Sequence, residues 1–197
     1  MTTKKIGRIA DFQLKRDEQT RVVICYDYTE INETDATWRE VELNKRQHQI
    51  VDFELVRNAI LADINQRTDE RILTGYEWTL LHGDETLPKK QRRIGETVNV
   101  WLSNENQTNY KAKYDLHYQK PEALTFPCVY KIGEQEGEAI FETFQTFDEL
   151  EQFYLGGIAW IEQQVNIGWA EKKAIDWTPY QALFPQQSGE GTQESAE

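Results

Sequence analysis

The side chains that could do chemistry in this 197-residue chain are three histidines, two cysteines and a surplus of carboxylates. His48, His82 and His117 each stand alone, with no second ligand at the short spacings that zinc sites use. They read as exposed or half-buried imidazoles, and no metal is expected. The sequence carries no phosphate-cradling glycine loop, no nucleophile elbow and no paired-histidine motif. Carboxylates are everywhere, yet nothing in their spacing selects an acid/base pair. No catalytic residue and no cofactor are therefore expected, and the chain reads as non-enzymatic. Cys25 in "VVICY" and Cys128 in "FPCVY" lie in apolar, strand-like runs. Buried free thiols are the expectation, with one bridge between them left open.

Two stretches have the makings of a binding surface. In "WLSNENQTNYKAKYDL" (Trp101 to Leu116) the amides Asn104, Asn106, Gln107 and Asn109 stand beside Tyr110 and Tyr114. Such groups could hold a sugar by hydrogen bonds and ring stacking. The simpler reading is a strand end, a Ser103 cap, and a helix whose tyrosines, Tyr110, Tyr114 and Tyr118, repeat every four residues along one face. The sequon Asn106-Gln107-Thr108 has meaning in a secreted eukaryotic protein, and "MTTKKIGRIADF" is not a secretory signal, so it is set aside. The second stretch is "KKQRR", where Lys89, Lys90, Arg92 and Arg93 could meet phosphate or an acidic protein surface, a sister subunit included. Acidic flanks and the lack of interleaved aromatics favour a solvated loop tip. The candidate binding residues are thus Ser103, Asn104, Asn106, Tyr110, Tyr114, Lys89, Lys90, Arg92 and Arg93.

A formal net charge of -12 repels nucleic acid and anionic membranes, so neither is an expected partner. No apolar run approaches the roughly 18–20 residues that would span a bilayer, and membrane insertion is not expected. The chain reads as soluble, made in a reducing cytoplasm. Six tryptophans, nine tyrosines and eight phenylalanines can supply much of a core, because each buries a large area.

These groups have to be positioned by alternating strands and helices. Residues Ile6 to Leu14, Thr20 to Tyr28 and Ala36 to Leu43 read as three strands of a meander, the last one an edge or half-exposed strand. From Asp52, a plausible N-cap, the period changes. Phe53, Val56, Ile60 and Ile64 predict an amphipathic helix to about Leu73, with Gly75 as its stop. "YEWTLL" and "ETVNVWL" read as a strand pair joined by the long charged loop "HGDETLPKKQRRIG". The Ser103-capped helix follows and ends at Pro121. "LTFPCVYKIG" and "EAIFETFQT" make a hairpin around "EQEGE". A last helix opens on a Thr146/Glu149 capping box, with Leu150, Tyr154, Ile158, Ile161 and Val165 as its buried stripe and Gly168 as its end, after which "WAEKKAIDW" adds a further turn or two. Gly156 and Gly157 inside it cost about 1 kcal/mol each against Ala, for which close approach of another backbone would compensate. The fold class expected is α+β: antiparallel strands and hairpins with three main amphipathic helices. The division expected is a β meander over 1–45, an α+β domain over 46–180, and a disordered acidic tail over 181–197.

"YTEINETDATWREVELNK", "RTDERILTGYEW", "VWLSNENQTNYKAKYDL" and "FDELEQFYLGGIAWIEQQVNIGWAEKKAIDW" together resemble a domain family of unknown function found in phages and prophages. That family is frequent in Bacteroides-type bacteria and sits at the ends of tail-fibre and tail-assembly proteins. The resemblance runs from about Tyr28 to Trp177. The departure is "TLLHGDETLPKKQRRIGET", which fills the space between Trp78 and Val98 where the family pattern has a much shorter turn. The resemblance implies a structural or adaptor protein of the tail apparatus, in the virion or in the bacterial host cytoplasm during assembly. It would act through contacts with other phage or tail proteins or with itself, and no enzyme activity, cofactor or catalytic residue is implied. A cytoplasmic tail-fibre assembly factor and a receptor- or carbohydrate-binding module are the alternatives.

Overall fold

The computed structural model of the chain describes residues 2–5, 12–15, 21–32, 34–44, 52–182 and 184. The fold is α+β, as the periodicities require: β1 (Thr2–Lys5), β2 (Phe12–Lys15), β3 (Arg21–Glu30), β4 (Asp35–Asn44), α1 (Phe53–Thr74), β5 (Tyr76–Thr79), β6 (Thr97–Val100), α2 (Asn104–Gln119), β7 (Cys128–Gln135), β8 (Glu138–Phe144), α3 (Phe147–Lys173) and α4 (Thr178–Ala182). Among the described residues every strand pair is antiparallel. There are two compact units. One takes the described residues of Met1–Asn65 and Glu171–Glu197, and the other is Gln66–Ala170.

In the first unit four strands lie in the order β1-β4-β3-β2. The strand expected over Ile6 to Leu14 is described from Phe12 on, as β2. β4 corrects the sequence reading, since it is an interior strand and not an edge. β1 pairs with its first half (Thr2 opposite Trp38, Lys5 opposite Asp35) and β3 lies along its other side. The polar "TTKK" of β1 has no strand signature, so the second neighbour of β4 leaves no trace in the hydrophobic pattern. The four-residue spacing of Val56, Ile60 and Ile64 does what it should, and these side chains form a core with Ile24, Tyr26 and Tyr180. Asp52 caps α1 by accepting from the Leu55 N–H at 2.8 Å. Gly75 stops it at φ +78°, where a Cβ would overlap the Val100 carbonyl. Both cysteines are free thiols. Cys25 is buried as expected, but Cys128 is half-buried. His48 lies outside the described residues, as do 183 and 185–197 of the tail expected over 181–197, while Gln181 and Ala182 belong to α4.

The second unit holds the two hairpins β5–β6 and β7–β8 with α2 and α3. Its core gathers Leu80, Val98, Val100, Leu102, Ile132, Phe144, Leu150 and Phe153. The β7–β8 turn is made by Glu136 and Gly137, both left-handed (φ 52° and 84°), which matches the twist of the flanking strands. Three readings of α3 need correction. Its buried line is Leu150, Phe153, Gly157, Gln164 and Gly168, rotated from the expected stripe, so that Tyr154, Ile158, Ile161 and Val165 are half-buried along one side. Phe153, packed against Tyr76, Trp78, Tyr110 and Phe144, sets that rotation. Gly168 does not end the helix, which continues to Lys173. It makes room for α1, because a Cβ on it would overlap the Thr68 hydroxyl. And the Gly156–Gly157 pair meets a ring, not a backbone: Cβ atoms there would stand 3.0 Å and 3.6 Å from the Tyr76 ring.

The three helix glycines should respond differently to alanine. Gly157→Ala gains helix propensity at ordinary contact distance and should stabilise by up to about 1 kcal/mol. Gly156→Ala must shift the Tyr76 ring and should gain less. Gly168→Ala should destabilise by about 1–3 kcal/mol through overpacking, with Thr68→Ala restoring much of the loss. Chemical denaturation of the three variants and the double mutant measures the order.

Candidate functional site

The segment between β5 and β6 is held from below by one buried side chain that the sequence did not single out. Glu142, on β8, is fully buried. Its carboxyl oxygens accept from the Trp78 indole N–H (2.9 Å) and from the backbone N–H groups of Leu81 (2.8 Å), His82 (3.0 Å), Gly83 (2.9 Å) and Thr143 (3.1 Å). Three successive amides converge because Gly83 is left-handed at φ +63°, where a Cβ would overlap the Arg92 carbonyl. This is a backbone nest, filled by the chain's own carboxyl group. Thr143 completes the tie by donating to the Gly83 carbonyl at 2.7 Å and accepting from the Glu85 N–H at 3.2 Å.

Above the nest a polar chain runs over the surface. His82 Nε2 lies 3.0 Å from Glu149 Oε1, and Gln145 donates to Glu85 at 2.6 Å. Arg92 donates to Glu85 at 3.0 Å and to the Leu87 carbonyl. The capping box forms as expected and reaches one residue further back. The Thr146 hydroxyl accepts from the Glu149 N–H at 3.4 Å, while the Glu149 carboxylate takes the Gln145 N–H at 2.6 Å. Burial alone would raise the Glu149 carboxyl. The hydrogen bonds from His82, Gln145 and Thr146 outweigh it and hold the group below its ordinary value.

The basic run is built into this loop. Arg92 is bound to Glu85 and Arg93 to Glu96 and Gln135, so the two arginines brace the fold, while Lys89 and Lys90 are exposed in a short 3-10 turn. His117 lies flat on Phe147, with ring centroids 3.5 Å apart. Among the described residues no group of three or more His, Cys, Asp or Glu side chains gathers as a metal site would, and no helix is long and apolar enough to cross a membrane.

Two of the other candidates, Asn104 and Tyr110, line a cleft of about 410 Å³ between α2 and α3, a size within the range of small-ligand sites. Ser103 caps α2 by accepting from the Asn106 N–H at 3.3 Å. The Asn106 and Gln107 side chains turn back to the Trp101 and Leu102 carbonyls at 3.2 and 2.7 Å. Asn104, Gln107, Thr108 and Lys111 then form one wall, Tyr154, Ile158 and Ile161 the other, and Tyr76, Tyr110, Phe153 and Gly157 the floor. Tyr110 is 5% exposed, with its ring edge-on to Phe153, and burial pushes its hydroxyl up to about 12. Burial, and then the neighbouring Tyr110, raise the Tyr76 hydroxyl as well, which donates to the Phe153 carbonyl at 2.5 Å. Tyr114 lies outside the cleft, stacked on Tyr154 at 4.4 Å, and shares Glu151 with Tyr118. Of the nine candidates the structure thus brings Asn104 and Tyr110 to the cleft lining, uses Ser103 and Asn106 at the start of α2, and places Lys89, Lys90, Arg92 and Arg93 in the loop. Tyr76, Phe153, Tyr154 and Gly157 were missed as site residues, although the paired glycines gave the signal.

Glu142→Ala strands several buried donors at about 1–3 kcal/mol each, so a loss of roughly 3 kcal/mol or more is expected in chemical denaturation. Glu142→Gln should recover part of it. For Glu149 the sign follows from the lowered value: its stabilisation is complete above the ordinary carboxyl value of 4.5 and fades as pH falls through the folded one. The stability difference between wild type and Glu149→Gln should therefore shrink between neutral and about pH 3, as read by thermal melts across that range. Compared with known proteins, the chain matches no family model, no curated protein and no solved structure.

Proposed function

We propose that the chain is a non-enzymatic adaptor of a phage or prophage, belonging to the tail apparatus and acting through protein–protein contacts with other tail proteins or with a second copy of itself. The observation that carries it is a pair of surface tryptophans in Gln66–Ala170. Trp101 is 43% exposed and Trp169 is 60% exposed, while Trp38 is 2% exposed in the other unit. An exposed indole is a large apolar area left in water, and tryptophan is among the residues that dominate interface energies. Both lie in the segments whose motifs resemble the tail-associated family. Lys131 stands 5.9 Å from the Trp101 ring, so that site combines an apolar face with a cation over it.

The sugar-binding alternative draws less support, since Tyr110 is buried and Tyr114 already stacks on Tyr154. An assembly factor would use the same surface and leave the particle.

Trp101→Ala and Trp169→Ala should each change stability by no more than about 0.5 kcal/mol, as surface substitutions do, yet reduce the amount of the chain in purified particles. Quantitative mass spectrometry of particles reads this. A chain present in infected cells and absent from wild-type particles points to the assembly-factor alternative. Unchanged incorporation of both variants overturns the tryptophan surface.

A further inference from the structure

We propose that the cleft between α2 and α3 binds a small uncharged molecule with an aromatic or branched-aliphatic body. The inference is independent of the tail-adaptor reading and rests on how the lining groups are used. The Tyr76 and Tyr110 hydroxyls point to the carbonyls of Phe153 and Lys131, at 2.5 and 3.5 Å, so the floor presents carbon. On the polar wall, Gln107 donates to the Leu102 carbonyl, Thr108 donates to the Asn104 carbonyl at 2.8 Å, and Lys111 is paired with Asp115. The cation nearest the mouth is thus already neutralised, and a chain of net charge -12 offers an anion no long-range attraction. A cation would have to leave water for an apolar floor with no carboxylate in its lining. Neutral groups remain. The Asn104 carboxamide and the Tyr154 hydroxyl lie at the cleft and make no hydrogen bond to the described residues, enough to orient a ligand with one hydroxyl or carbonyl.

Gly157 is the second line of argument. Gly156 has a packing reason, since a Cβ there would press on the Tyr76 ring at 3.0 Å. A Cβ on Gly157 would meet Leu102 and Tyr76 at an ordinary 3.6 Å. Packing therefore does not require glycine at 157, and helix propensity opposes it by about 1 kcal/mol. What glycine does there is keep the floor deep. The floor is also fixed in advance: the Tyr76 ring is anchored through its hydroxyl and lies on Gly156. A preformed site of this kind spends little binding energy on ordering.

The test uses the full chain and two probes of the same size, para-cresol and para-toluate, titrated by amide NMR. Para-cresol should move the resonances of Gly157, Ile158, Ile161 and Gln107 saturably, and para-toluate should bind at least about tenfold more weakly. Gly157→Leu, which fills the floor, should lower para-cresol affinity at least about tenfold while keeping a cooperative melt. Gly157→Ala, which adds one methyl group at ordinary contact distance, should lower it several-fold and serves where the leucine variant does not fold. No shift of the cleft resonances with para-cresol up to its solubility limit overturns the proposal. So do equal affinity for the two probes and an affinity unchanged in the folded glycine variants.

Discussion

The Glu142 carboxyl group, with its five N–H partners, is the interaction on which the second unit depends. Its donors come from Trp78 on β5, from three consecutive residues of the following loop, and from its own neighbour. A nest of convergent amides is a concentration of positive partial charge, and burying it empty would cost several unsatisfied donors. Conversely, a fully buried carboxyl group without partners would be as costly. Each feature removes the other's penalty, so the loop and the β7–β8 hairpin fold together. The polar residues that follow extend the same bond. Thr143, Gln145 and Glu149 reach Gly83, Glu85 and His82 in turn, and the loop is fastened along the whole approach to α3.

That fastening fixes where α3 begins, and with it the cleft. Trp78, whose indole N–H goes to Glu142, packs its ring against Phe144 and Phe153. Phe153 in turn presents its carbonyl to Tyr76 and makes a T-shaped ring contact with Tyr110. The path from buried carboxyl to cleft floor is therefore a short run of rings with few free torsions, which suits a site whose geometry has to be held before a ligand arrives. The two glycines of α3 divide the work between them. One admits the Tyr76 ring, and the other leaves the floor open.

The parts legible in the sequence are those with a local cause. The Asp52 cap, the Gly75 stop, the Ser103 cap and the turn before Glu138 are each decided within a few residues, and they stand where the residue types put them. The α+β class followed from the change of period at Asp52. What was hidden depends on distant partners. Glu142 meets donors 59 to 64 positions away, and "EAIFETF" has the ordinary look of a strand. β4 becomes interior through a polar strand whose pattern says nothing of pairing. Gly168 sits opposite Thr68 on another helix, so its position in the chain imitates a helix stop while its cause is tertiary. The α3 stripe was misplaced for a similar reason. Ile158 and Ile161 look like core, but the aromatic residue that dominates the core is Phe153.

The amide-rich turn after Ser103 illustrates how a binding-like composition is mostly absorbed by folding. Four backbone N–H groups at a helix start need partners, and so do the carbonyls of the strand end that precedes it. Ser103 answers the first demand, and the Asn106 and Gln107 side chains answer the second by closing on Trp101 and Leu102. The Trp101 N–H, meanwhile, goes to the Ile132 carbonyl at 2.8 Å and joins the two hairpins. Two of the four amides that suggested a sugar site, Asn106 and Gln107, are therefore the seam between β6 and α2. Their consumption leaves the cleft with an apolar floor and a neutral mouth. Selectivity against charge would then arise without any repulsive residue, because an ion entering the cleft would lose its hydration and find Lys111 already paired with Asp115 and no carboxylate in the lining.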